Sequence, residues 1–445
     1  MIRNMEYYFP KSIFVLFICL ITCNVLPARR KVPQKPRILI SSDIGGTDPD
    51  DNQSMIHFLM FSDEFDTEGI ISSPSFGNGN KKEIIRMIDV YEKDYPILKK
   101  QYKHLSKPSY LRSITKQGRH GAMPFCGYSE PTEGSQWIIK CAKKYDRRPL
   151  WVLVWGGLED LAQALHDSPD IAHNIHVYWI GGPNKTGSIR AYSYIVDKFP
   201  YLWFIENNTS YRGFTAQAKI ADKYNAGFYD EYMKGAGLIG TDFINYYAGL
   251  PKLGDTPSLL YMMDGDPENP MRESWGGSFT PISYSPRNIF YHKTSDSDTV
   301  AVNAVMEFHV KGPILEDVTQ DSVCITLNVD KQKWSGYYLG NGDYAVRYST
   351  YKVGRHDYVI DSNIPDLESQ KGSFVVANIW PGTHRKSDYI LGATWYSDSQ
   401  DSSLFWNGNQ GAASTYKWRN KVLQEWGTRL RSISMHHHSL HSKKH

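Results

Sequence analysis

Four aspartates, Asp43, Asp48, Asp50 and Asp51, fall within nine residues of one another in Ser41-Ser42-Asp43-Ile44-Gly45-Gly46-Thr47-Asp48-Pro49-Asp50-Asp51-Asn52. Two carboxylates about 5 Å apart at an effective dielectric of about 20 repel by roughly 3 kcal/mol, so a converging set requires protons, arginines or a cation. No Lys or Arg lies between Arg37 and Lys81, and no His or Cys between Arg37 and His57. A hard cation held by oxygen atoms is the economical answer, and calcium suits such a donor set better than zinc. The competing reading is a solvated acidic turn that caps a helix.

The elements that must position these residues are a strand and a helix. Ile38 to Ile40 is an apolar run of the kind buried on both faces of a sheet, and Asp50, Asp51 and Asn52 open a helical pattern through Met55, Ile56, Leu59 and Met60. Acidic residues in the first turn suit the helix dipole. The loop therefore lies at the carboxyl end of a parallel strand, where open α/β sheets bind ligands.

The alternation continues along the chain. Thr67 to Ser73, Leu150 to Trp155, Ile175 to Ile180 and Tyr201 to Ile205 read as strands, with helices over Lys81 to Lys100 and Glu133 to Lys144. The spacing predicts an α/β, mainly parallel, doubly wound sheet over 36–295. A long Gly- and Pro-rich segment at 103–132, containing Arg119 and His120, reads as a lid or pocket wall. From about 296 the texture turns to strands broken by Gly, Asn and Asp: Val300 to Lys311, Ser322 to Val329, Tyr344 to Tyr351 and Gly372 to Ile379. A β-rich, sandwich-like accessory domain is expected over 296–400. An amphipathic helix, Tyr416 to Arg429, then packs back within 401–432, and a disordered His- and Lys-rich tail follows over 433–445.

The first loop resembles the aspartate signature of the nucleoside hydrolase superfamily, an Asp-x-Asp-Pro-Gly-x-Asp-Asp loop that holds calcium and the attacking water. Ser41 stands where the family's first aspartate lies, and residues are added between Asp43 and the Asp50-Asp51 pair. The stretches Gly254-Asp255-Thr256-Pro257-Ser258 and Trp275-Gly276-Gly277 are similar to those of a secreted nucleoside hydrolase-like, or cellulose-binding, branch. This resemblance implies calcium bound by Asp43, Asp51, the backbone carbonyl of Glu159 in Gly156-Gly157-Leu158-Glu159-Asp160, and Asp255. Asp264 and Asp266 compete with Asp255 for the last place. It implies Asp43 as the base that activates water, with Asp50, Asn78, Glu206 and Asn208 on the substrate and Trp275 at the rim. The superfamily's His before that last aspartate is Gly254 here, so the usual partner of the leaving group is missing.

The implied function is a calcium-dependent hydrolase of a glycosidic or N-glycosidic bond, acting on a carbohydrate or nucleoside-like small substrate. A non-catalytic polysaccharide-binding protein on the same scaffold is the alternative. An aspartyl-phosphate phosphatase also starts with Asp after a buried strand, but it needs a second Asp two residues on, where this chain has Gly45. With 50 basic and 47 acidic residues the charge is nearly balanced, which leaves no footprint for nucleic acid. Residues 1–30 read as a secretory signal: Arg3 and Lys11 precede an apolar run from Ile13 to Leu26, too short for a transmembrane span. A secreted or periplasmic location follows. Leu20-Ile21-Thr22-Cys23 is a poor version of a lipoprotein box, which sets a lipid anchor at Cys23 against cleavage nearer Ala28. Cys126, Cys141 and Cys324, odd in number and widely spaced, make neither a disulfide framework nor a zinc site. The resemblance leaves a homo-oligomer open, though no sequence feature marks an interface.

Overall fold

Alternating strands and helices set up the first layer. In the computed structural model, which describes residues 34–442 apart from Thr47, 75–78, 216–226, Gln320 and Asp366, six parallel strands form its centre. They are β1 (Arg37–Ser42), β2 (Asp66–Ser72), β3 (Thr115–Gln117), β4 (Leu150–Val154), β5 (Ile175–Ile180) and β6 (Trp203–Asn207), in the order β3-β2-β1-β4-β5-β6. The helices between them are α1 (Asp50–Met60), α2 (Lys81–Gln101), α3 (Pro108–Ser113), α4 (Glu133–Ala142), α5 (Glu159–Asp167), α6 (Pro183–Gly187) and α7 (Ile189–Lys198). The order reverses direction between β1 and β4, which makes the gap beyond their carboxyl ends a topological switch point.

Strand pleating sorts the core into two faces. Ile38 and Ile40 of β1, with Trp151 and Leu153 of β4, face an apolar cluster under α1, α2 and the last helix, Arg419–Ser442. Leu39, Val152 and Val154 face the opposite cluster, with α5, α7 and the apolar side of a second sheet. That sheet has eight strands. They are β9 (Arg287–Phe290), β10 (Thr299–Ala301), β11 (Val305–Lys311), β12 (Val323–Val329), β13 (Gln332–Gly340), β14 (Asp343–Tyr348), β15 (Gly354–Ser362) and β16 (Gln370–Ala377). Its order is β10-β16-β15-β12-β13-β14-β11-β9, antiparallel except for the outer pairs β10 with β16 and β11 with β9. Two short strands pair beside it as a ribbon, β8 (Tyr284–Ser285) with β17 (Tyr389–Ile390).

The second sheet is stitched to the first layer. Arg190 of α7 donates to Ser335 O and Tyr337 Oη of β13, at 3.2 and 3.0 Å, and Arg347 of β14 donates to Phe125 O at 2.7 Å. The described residues from Lys35 on make one compact unit. The chain then returns: β18 (Trp395–Asp398) enters the first sheet beside β6, in parallel, and pairs antiparallel with β7 (Phe279–Pro281). Four residues are too few to show period-two alternation, so this return strand has no signature in sequence.

Two further expectations change. The segment 103–132 is not structureless, because it holds α3 and β3, elements of six and three residues, too short for a periodic signal. The last helix runs on to Ser442, into the stretch expected to be a disordered tail. Its Trp426 is fully buried, with ring centroids of His57, Phe228 and Phe243 at 4.9, 5.4 and 5.7 Å, and that contact anchors the helix. Residues 1–33, including Cys23 and the expected signal, lie outside the described residues.

Candidate functional site

Asp43 follows the last residue of β1 and so stands at the switch point. A Cβ on Gly156, just past β4, would lie 2.6 Å from its Cβ and Cγ, so a larger residue there would displace the carboxylate. Asp51, in the first turn of α1, accepts from Ser42 Oγ at 2.5 Å, and the same hydroxyl accepts from Ile44 N at 3.1 Å. Asp255 arrives at the start of the helix Thr256–Met263. Its carbonyl accepts from Ser258 Oγ at 2.8 Å, and that hydroxyl in turn accepts from the Trp155 indole at 2.7 Å. Thr256 Oγ1 bonds Ser54 Oγ of α1 at 3.0 Å. The strand end, the helix start and the later loop thus lock together.

The result is convergence. Carboxylate oxygens of Asp50, Asp51 and Asp255 all lie within 4.8 Å of one another. They line a cavity of about 380 Å³ together with Asp43, Asp48 and Lys252. At that separation and an effective dielectric of about 20 each ionised pair repels by roughly 3 kcal/mol. Burial pushes the Asp50 carboxyl up to about 7; nearby Lys252 opposes this, and Asp48 and Asp43 add to it. Burial and neighbouring aspartates raise Asp51 and Asp255 well above the usual range as well. Among the described residues, Asp255 Oδ2 is buried without a hydrogen-bond partner. Lys252 pairs with Asp48 and, at 3.3 Å, with Asp50, whereas among the described residues no ion pair reaches Asp51 or Asp255. The absence of a local Lys or Arg was therefore an incomplete guide, since Lys252 comes from about two hundred residues away and Arg212 also lines the cavity, yet these two cations are outnumbered by the five aspartates there.

Asp264 and Asp266 do not compete for this place. Asp264 ends the Thr256–Met263 helix and Asp266 pairs with Arg272 at 3.4 Å, and neither lines the cavity. Gly254 also acquires a reason, because any Cβ there would strike Asp50 Oδ2. With Asp50 in this position a histidine at 254 has no room.

Other expected site residues lie elsewhere. Glu206 does not line the cavity: pleating puts it on the same face of β6 as Phe204, toward α7, where it is fully buried. It accepts from Lys185 Nζ at 2.8 Å, Tyr192 Oη at 2.7 Å and Asn208 Nδ2 at 2.9 Å. Asn208 is likewise consumed internally, its Oδ1 accepting from Gly182 N at 2.9 Å. Trp275 lines a different cavity with Phe61, Tyr102 and Arg429, and the Lys421 ammonium sits 4.9 Å from its ring. Glu159 is the first residue of α5 and does not line the acidic cavity. Its buried carboxyl accepts from Ser188 Oγ at 2.9 Å, and burial raises it to about 8. Asp160 does not cap its own helix; it accepts from Arg119 N at 3.1 Å and from Thr132 Oγ1, which pins the 118–132 segment. Arg119 and His120 do not line the cavity. Asn78 lies outside the described residues.

Sequence reasoning missed Lys252, Tyr211, Arg212 and Tyr351, all of which line the cavity. Tyr351 follows β14 of the second sheet, and no local spacing ties it to Asp43.

Residues 37–279 match the family described as "Cellulose-binding Sde182, nucleoside hydrolase-like domain". No curated protein matches the sequence. Among solved structures, a nucleoside hydrolase-related hypothetical protein from Saccharophagus degradans, associated with carbohydrate metabolism, is 18% identical with a TM-score of 0.48, over 77% of this chain and 100% of that one. The inosine-uridine preferring nucleoside hydrolase from Bacillus anthracis is 13% identical with a TM-score of 0.37, over 57% of this chain and 87% of that one. The purine-preferring ribonucleoside hydrolase from Gardnerella vaginalis is 14% identical with a TM-score of 0.37, over 56% and 84%.

Proposed function

The chain belongs to the family of cellulose-binding Sde182 proteins with a nucleoside hydrolase-like domain, and from that premise we propose that it hydrolyses a glycosidic or N-glycosidic bond of a glycan or glycoside outside the cytoplasm. The observation that carries this reading is the meeting of Asp50, Asp51 and Asp255 in one cavity with Asp43, with Asp255 Oδ2 buried and unbonded. The donors are hard carboxylate oxygens in excess of the available cations, which fits a divalent ion, and calcium in particular. Asp50, Asp51 and Asp255 would hold it; Asp50, expected on the substrate, takes the place expected for Asp43, which lines the same cavity but is not one of the three converging carboxylates. When bound, the ion supplies charge that keeps these carboxylates ionised and lowers the pKa of water at the site.

The chain's own residues do the rest. Asp43 takes the proton of the attacking water, and its fixed place between Gly156 and β1 orients that transfer. Lys252 holds Asp48 and Asp50 at the mouth. Tyr351, exposed at the opening, supplies ring surface on which a sugar can lie, with Tyr211 beside it. No described helix is long and apolar enough to cross a membrane.

The test is release of reducing sugar or free base from a panel of glycosides and nucleosides, with calcium present and after chelation. Asp43→Ala should lower turnover by about 10²–10⁴-fold, and chelation should abolish turnover reversibly. Turnover unchanged in Asp43→Ala refutes the assignment. The vacancy of a side chain at Gly254 favours a second reading, a carbohydrate-binding protein without turnover, for which the same panel would give binding and no released product.

A further inference from the structure

A second cavity, of about 220 Å³, adjoins the acidic one. Pro183, the first residue of α6, and Tyr351, in the loop after β14, line both. Its remaining wall comes mostly from the second sheet and its loops, including Asp330, Gln332, Thr350 and Lys352. The first cavity alone is of the size that encloses one small ligand. The second extends the binding space in one direction, across a tyrosine ring.

The seam between them is built from aromatic faces. The Arg212 guanidinium lies 5.4 Å from the Tyr211 ring centroid and 5.5 Å from that of Tyr351, so one cation braces an aromatic residue from each sheet's side of the opening. Tyr351 is nonetheless 39% exposed, leaving ring surface to solvent. Beyond it the charges are already paired. Asp330 accepts from Tyr348 Oη at 3.2 Å, meets His356 Nδ1 at 2.9 Å and faces Lys352 at 3.6 Å. What the wall offers a ligand is the amide of Gln332, the Thr350 hydroxyl and Thr186, whose Oγ1 is buried with no hydrogen-bond partner although the residue lines the cavity. Neutral donors and acceptors beside one aromatic face suit an uncharged polyhydroxylated ring and offer no unpaired cation to a phosphate.

We propose that the second cavity is a subsite for a further sugar unit, so that the ligand of the acidic cavity is an oligosaccharide running over Tyr351 onto the second sheet, and not a free nucleoside. This rests on the reading of the acidic cavity as a carbohydrate site. The β-rich sheet is then part of the specificity apparatus, with Tyr351 the platform that joins the two subsites.

Isothermal titration of the calcium-loaded full chain with methyl β-D-glucoside, cellobiose, cellotetraose and inosine tests it, on the wild type, Tyr351→Ala and Gln332→Ala. Both substituted side chains are exposed, so the fold tolerates their loss. Cellotetraose should bind about tenfold more tightly than methyl β-D-glucoside, the size of one added ring contact. Tyr351→Ala should abolish that gain. Gln332→Ala should shrink it while leaving the affinity for methyl β-D-glucoside unchanged. A gain undiminished in either variant, or inosine binding more tightly than cellotetraose, overturns the subsite. Methyl β-D-glucoside binding with no gain on lengthening sinks the subsite alone, and failure of every probe to bind the wild type sinks the acidic-cavity reading with it.

Discussion

Two strand ends in the same sheet carry buried carboxylates and treat them in opposite ways. At the end of β6, Glu206 is fully enclosed and fully answered: Lys185 Nζ at 2.8 Å, Tyr192 Oη and the Asn208 amide satisfy it, and the lysine lies 3.8 Å from the Tyr192 ring centroid. Beyond β1, three carboxylates converge within 4.8 Å, one lysine touches only the outermost of them, and one oxygen of Asp255 has no partner. Buried charge that is paired and hydrogen-bonded belongs to the scaffold, and buried charge that is not is costly until a proton or a cation compensates it. Compensation, and not residue type, separates the two.

The largest effect follows from breaking the compensated end. Lys185→Met should leave Glu206 buried and unpaired and cost about 3–5 kcal/mol of stability, measured by urea denaturation. Lys185→Met combined with Glu206→Leu should recover much of that loss. A neutral Lys185→Met would mean that water reaches Glu206, and the contrast with the β1 end would collapse.

That contrast was only partly written in the sequence. The apolar runs Ile38–Ile40 and Leu150–Trp155 announce central strands, and the aspartates after the first announce an acidic loop at its end, because both signals are local. The Gly254-Asp255-Thr256-Pro257-Ser258 stretch brings Asp255 to the same place. Lys252 and Tyr351 were illegible because nothing within a few residues of them refers to Asp43. Glu206 and Asn208 were misplaced for a subtler reason: a polar triplet at a strand end looks like a pocket, but the pleat turned Glu206 onto the face where Lys185 waits. Trp395–Asp398, four residues long, carries no pattern that would assign it to either sheet.

The next effect comes from filling the uncompensated end. Calcium should raise the stability of the chelated protein by about 2.7 kcal/mol at a hundredfold excess over its dissociation constant, visible as a rise in melting temperature that chelator reverses. Asp255→Asn should remove this response. It should also stabilise the ion-free protein slightly, since one source of repulsion is gone. Glu206 lies outside the effect, so a calcium response lost in a folded Glu206→Gln variant would blur the distinction between the two ends.

The smallest effect is the share of the pH dependence that arises at the same end. The Asp50 carboxyl, only 13% exposed, is raised from 3.8 to about 7 by burial, with Asp48 and Asp43 adding to the shift against Lys252. Between those two values the folded chain keeps a proton that the unfolded chain has released, so unfolding sheds protons and stability falls as pH rises. In chelator, the stability at pH 5 relative to pH 7 should be about 1–2 kcal/mol greater in the wild type than in Asp50→Asn. Asp50→Asn removes this share because its amide does not titrate, and leaves the shares of the raised Asp51, Asp255 and Glu159 and of the lowered His57. Saturating calcium should reverse the slope, because the bound ion favours the ionised carboxylates and its affinity climbs as they lose protons. A slope that persists unchanged in both Asp50→Asn and calcium would place its origin outside the acidic cavity and remove the electrostatic ground for treating that cavity as a cation site.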